Sequence, residues 1–110
     1  MLNENAQRWV AALRSGEYTQ TTGRLRNGDA FCCLGVACDL FDSSQWTRDY
    51  DYEFDRYGVP DSVRDSLGLR DNAGVNDNCA SLAYHNDAGS SFEDIADIIE
   101  SEPPGLFRAM

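Results

Sequence analysis

The sequence predicts an α+β fold in which helix predominates: one small domain over residues 1–110, with four to five short helices and one or two β-hairpins. Three observations carry that expectation. Apolar residues recur at 3.6-residue spacing in several separate stretches. An Asn27-Gly28 dipeptide separates two short runs, the strongest local hairpin signal. Tyr50, Tyr52 and Phe54 alternate with Asp51, Glu53 and Asp55 at the period of two that marks a half-exposed strand. The chain has 110 residues, 42% of them hydrophobic and 11% aromatic. That length suits one domain, which hides roughly two-thirds of its unfolded surface and folds without staples.

The elements follow in order. Residues 3–15 form a helix: Asn3 is a good N-cap, and Ala6, Trp9, Val10 and Leu13 make one apolar stripe. Gly16 stands where the chain leaves that helix. Asn27-Gly28 then joins a strand near Gly23–Arg26 to one near Asp29–Cys32. A second helix covers about 33–41. Leu34, Ala37, Cys38 and Phe41 form its stripe, and Cys33, Val36 and Leu40 widen it. A helix apolar over so much of its circumference belongs at the centre of a fold.

The stretch from Trp46 to Val59 holds the alternating strand and has room for a second hairpin. Pro60 opens a short helix with Val63 and Leu67 inward and Gly68-Leu69 as its stop. A loop precedes another helix at about 78–86, with Leu82 and Ala83 inward. Asn86-Asp87-Ala88-Gly89 turns the chain. Ser90 or Ser91 caps the last helix, whose stripe is Phe92, Ile95, Ala96 and Ile99, and Glu93 or Asp94 fits a capping box. Pro103-Pro104 ends it. Residues 103–110 are a loosely held tail in which Leu106 and Phe107 are the docking candidates.

Charge narrows the function classes. The formal net charge is −10, from 19 acids and nine basic residues, all arginine. A surface of that sign repels phosphate backbones and anionic membranes, so direct nucleic-acid and membrane binding are disfavoured. It favours a partner with a basic surface, or serves only solvation. No apolar run approaches the ~18 residues that span a bilayer. The N-terminus carries neither a basic nor an apolar signal region, so the expected compartment is the cytoplasm, where cysteines stay reduced.

The segment AFCCLGVACDLF, residues 30–41, places Cys32, Cys33 and Cys38 within seven positions. Zinc wants two close ligand pairs. Cys32 and Cys33 are adjacent, Cys33 and Cys38 are five apart, and Cys79 pairs poorly with His85, so no metal site and no cofactor are expected. A nucleophile is the alternative. Cys32 or Cys33 at a helix N-terminus gains thiolate character from the dipole, and His85 with Asn86 completes a Cys-His-Asn cast for a small hydrolase or transferase. The competing reading makes the cysteines small apolar core residues. Calcium loops fail because Gly89 or Gly74 at the sixth position puts Tyr84 or Leu69 first, where a carboxylate is required. From Asp87 to Glu102 there are six acids and no basic residue, which does not suit a DNA-recognition helix.

A surface remains. Trp46, Tyr50, Asp51, Tyr52, Glu53 and Asp55 offer aromatic anchors between acids, and Asp94, Asp97 and Glu100 line an acidic helix; both suit protein recognition. Acids at alternate strand positions lie ~6.6–7 Å apart, a spacing close to that of phosphates on one DNA strand. The same aromatic strand invites pairing with a second copy, which its acids oppose, so a homodimer is weighed as well.

The succession RWVAALRSGEYTQTTGRLR, FCCLGVACDLF, VPDSVRDSLGL and HNDAGSSFEDIADIIE resembles a family of small proteins encoded by bacteriophages and prophages, over about Arg8 to Leu106. CCLGVACDL is its most specific part. The resemblance carries no catalytic residue over to this chain, and it implies an apolar residue at the position of His85. It implies an accessory protein acting in the host-cell cytoplasm. Together with the charge, it sets the expectation of a non-catalytic protein that binds a basic host protein, for example to inhibit a defence nuclease or modulate a host process.

Overall fold

A computed structural model describes residues 2–43, 58–78 and 80–108. Among these, five helices and a three-stranded sheet form a small helix-dominated α+β domain. Helix α1 spans Glu4–Arg14, and the Asn3 side chain accepts the Ala6 amide as its N-cap. Its apolar stripe lies inward as the spacing requires, with Ala6, Trp9, Val10 and Leu13 all buried. Strands β1 (Thr19–Gln20), β2 (Arg26–Asn27) and β3 (Ala30–Phe31) follow, and β3 leads directly into α2, Cys33–Asp42.

The sheet order is β1-β3-β2, with β1 parallel and β2 antiparallel to the central β3. The hairpin forms, but its turn is one residue later than the sequence suggests. Asn27 pairs with Ala30, leaving Gly28 and Asp29 as the two-residue loop. Gly28 has φ +62° and Asp29 has no positive φ. Glycine alone at the first central position is the type II′ arrangement, which twists as the strands do. The parallel strand β1 carries no sequence signal, since two residues cannot show an alternation.

Helix α2 occupies the centre. Cys33, Leu34, Val36, Ala37 and Cys38 are fully buried, and Leu40 and Phe41 pack on the same core. It touches α1, α3, α4 and β3. Gly35 permits that closeness: a Cβ there would fall 2.8 Å from the Leu25 carbonyl carbon and nearer still to its oxygen. The Trp9 indole nitrogen donates to the Cys33 carbonyl at 2.9 Å, joining α1 to the first turn of α2.

Helix α3 spans Asp61–Leu67 with Pro60 at its N-cap, and Gly68 ends it in the left-handed conformation. The expected helix at 78–86 starts later. Helix α4 is Leu82–Asp87, capped by the Ser81 hydroxyl. Before it, the Asn76 side chain accepts from the amides of Asn78 and Ala80, and Val75 pairs with Ser81. Those contacts hold Asn78 and Ala80 outside the helix, which begins after the Ser81 cap. The helix also runs through Asp87, so the turn is confined to Ala88 and Gly89. Helix α5, Phe92–Ser101, is capped by Ser91 and lies along α1.

Past Pro103-Pro104 the chain folds back. Leu106 is buried and Phe107 pairs with Leu69. Arg70 N donates to Leu106 O at 3.0 Å and Arg108 N to Gly68 O at 2.8 Å. Near the other end, the Asn3 and Asn5 amides both donate to Ser66 O at 3.1 Å. The aromatic strand around Tyr50–Phe54 and its companion hairpin lie outside the described residues.

Candidate functional site

Two places collect the chemistry-bearing residues: the start of α2 and the face shared by α1 and α5. At the first, Cys32 is the N-cap of α2, and its sulfur accepts the Gly35 amide at 3.3 Å. Cys33 points into the core, its sulfur 3.5 Å from the Leu82 carbonyl. Asn86, the last-but-one residue of α4, is wholly buried. Its Oδ1 accepts from Cys33 N at 3.1 Å and from Gln20 Nε2 at 2.9 Å. Its Nδ2 donates to Thr21 O at 2.7 Å. Asn86 therefore satisfies backbone groups of both the sheet edge and the α2 N-terminus, groups that burial would otherwise leave without water. Next to it, the Asp87 carboxylate accepts the Gly23 amide at 2.9 Å.

The electrostatics at this point oppose a thiolate. Burial pushes the Cys32 thiol up to about 11, outweighing the Gly35 and Leu34 amides, while the Asp87 charge adds to the rise. Burial likewise raises Cys33 well above the usual thiol range. The helix N-terminus favours an anion, but removal from water is the larger effect. His85 is half-buried and sets its ring edgewise to Tyr84, centroids 6.2 Å apart. No hydrogen bond links its imidazole to Cys32 or Cys33 among the described residues. Asn86 meets the Cys33 backbone, and the arrangement uses the asparagine as a brace. Among the described residues no three His, Cys, Asp or Glu side chains cluster to hold a metal ion.

The second place is built by one cation. Arg14, in the last turn of α1, reaches across to α5. Its Nε lies 3.5 Å from Glu93, Nη2 contacts Asp97 and Nη1 contacts Glu100. Hydrogen bonds to Glu100 and then Asp97 hold the guanidinium pKa above its ordinary value. The three carboxylates remain half to two-thirds exposed. Beside them runs an open groove of about 460 Å³ lined by Leu2, Gln7, Val10, Ala11, Arg14 and Glu100.

The predicted site residues thus divide. Asp97 and Glu100 come together, and Asp94 sits on the same helix with its amide on the Ser91 cap. Trp46, Tyr50, Asp51, Tyr52, Glu53 and Asp55 lie outside the described residues. Arg14 and Gln20 were not foreseen. Arg14 is one of nine arginines in the sequence, and nothing local tells which acids it meets. The sequence offers Asn86 as a turn residue and as a catalytic accessory, since an asparagine at a helix end signals a turn before it signals a buried brace.

The fold and these two sites define a small helix-dominated domain with a sealed thiol cluster and an acidic flank. A family model, the domain of unknown function DUF8296, matches residues 1–103, and the chain belongs to that family. No curated protein and no solved structure matches it. Among the described residues no helix is long and apolar enough to cross a membrane.

Proposed function

We propose that the protein is a non-catalytic accessory domain whose acidic exterior captures a basic surface of another protein. The resemblance to phage proteins points to a host protein in the cytoplasm as the partner, with inhibition of a defence nuclease or modulation of a host process as the outcome. One observation carries the reading: among the described residues, four of the chain's nine arginines are paired with its own acids. Arg14, Arg64, Arg70 and Arg108 all make ion pairs within the chain. Nineteen acids against nine arginines leave 19 − 9 = 10 negative charges in excess. With those arginines held by acids of the same chain, the surplus charge steers basic partners toward the domain.

The test is capture from bacterial lysate by the immobilised protein, followed by a salt step. Screening shortens from about 10 Å at 0.1 M salt to about 3 Å at 1 M. Partners held by charge bind at the lower salt and leave at the higher. Capture that persists at the higher salt, or no specific capture at either, would overturn the reading.

A further inference from the structure

We infer that the groove between α1 and α5 is a docking site for an amphipathic, arginine-bearing helical segment of a partner protein. The inference rests on the proposed acidic-surface binding and gives it a place and a ligand chemistry. The groove is lined mainly by carbon, with Leu2, Val10 and the small Ala11 leaving room for apolar side chains. Its volume of about 460 Å³ falls within the roughly 300–1,000 Å³ of ligand-binding clefts. A furrow between two packed helices suits an apolar helix face, the helix-in-groove mode of recognition.

Charge selects the occupant. Glu100 lines the groove with Arg14, and Glu93 and Asp97, on the same helix as Glu100, meet that one guanidinium as well. Three carboxylates less one cation leave two negative charges beside an apolar furrow. The three acids already hold one guanidinium, each through a single oxygen, so they suit the charge and donor geometry of an incoming arginine. Arg14 then acts as a resident competitor: it offsets the carboxylates' mutual repulsion and partly satisfies them until a partner's arginines arrive. An acidic helix would be repelled, and a purely apolar one would leave the carboxylates without new partners.

The probe is a fluorescein-labelled helical peptide with leucine on one face and arginine flanking it, read by anisotropy. The wild type binds it and does not bind the glutamate analogue. Glu93→Gln, Asp97→Asn and Glu100→Gln together weaken binding about tenfold or more. Ala11→Trp, which fills the groove without changing charge, weakens it comparably. Asp29→Asn, an exposed acid on the hairpin turn, leaves it unchanged. Arg14→Gln tightens binding by several-fold more than Arg70→Gln, which alters net charge equally. Circular dichroism confirms that each variant is folded. Wild-type binding that is absent, or that stays within about twofold in either the triple variant or Ala11→Trp, overturns the groove proposal. Salt-reversible capture from lysate can survive that result, so the two readings fail separately.

Discussion

Replacing Asn86 by alanine tests whether this buried side chain braces the fold. Truncation removes the acceptor of Cys33 N, in the protein interior, and the donor to Thr21 O, which is part-buried. The Gln20 amide also loses one partner but keeps the Ser90 carbonyl at 2.8 Å, so its loss is small. A buried polar group left without a partner costs about 1–3 kcal/mol, which for two groups gives about 2–6 kcal/mol. Local relaxation and water entry recover part, and a loss of about 3 kcal/mol is expected. With a urea slope of about 1.5 kcal/mol per molar, the unfolding midpoint falls by about 2 M. That is a large fraction of the roughly 5–15 kcal/mol that holds a domain folded. Urea unfolding followed by tryptophan fluorescence and far-ultraviolet circular dichroism measures it. A midpoint within about 0.3 M of wild type would refute the reasoning, for on that slope it corresponds to less than 1 kcal/mol.

Gly35→Ala sets helix propensity against sterics: alanine gains about 1 kcal/mol in a helix, but its Cβ collides with the fixed Leu25 carbonyl. We expect a net loss of about 2 kcal/mol or more, and unchanged or raised thermal stability would contradict the packing described. Iodoacetamide at neutral pH should leave Cys32, Cys33 and Cys38 unlabelled in the native protein and label all three in urea; rapid native labelling of Cys32 or Cys33, located by peptide mass mapping, would revive the nucleophile reading. Tyr18, pushed up to about 12 chiefly by burial and then by its hydrogen bond to Asp39, binds its proton more tightly folded than unfolded. Its contribution is therefore complete below pH 10 and lost as pH rises from about 10 toward 12. Tyr18→Phe should flatten that part of the stability profile, and an identical alkaline profile would remove the assignment. Truncation after Pro103 removes the burial of Leu106, worth about 1.5–3 kcal/mol, and the backbone bonds to Arg70 and Gly68. A thermal midpoint equal to wild type would show that the segment contributes nothing.

Helix positions were legible because their signals are local. The stripe Ala6, Trp9, Val10, Leu13 and the stripe Phe92, Ile95, Ala96, Ile99 each declare a buried face, and Asn3 and Ser91 cap as their chemistry requires. The central place of α2 was legible because Cys33–Cys38 is apolar nearly all round. Errors came where a distant contact decided. Asn27-Gly28 signalled the hairpin, but pairing of Asn27 with Ala30 moved the turn by one residue. The start of α4 was set by the Asn76 side chain and the Val75–Ser81 pairing, not by periodicity. The cluster at Arg14 depends on the packing of α1 along α5, which no single stretch encodes. The thiols illustrate a competition of magnitudes: the helix terminus lowers their pKa and burial raises it, and only the fold reveals how deep they lie.

Both extremities of the described chain rest on the end of α3 and the two residues that follow it. Asn3 and Asn5 grip Ser66, while Phe107 and Arg108 grip Leu69 and Gly68. That stretch works as a common clasp. Loosening one extremity strips contacts from the clasp that steadies the other, so fraying at the two is a single cooperative event rather than two independent ones. A protease that nicks the final residues therefore also unsettles the first turn of α1, at the opposite end of the sequence.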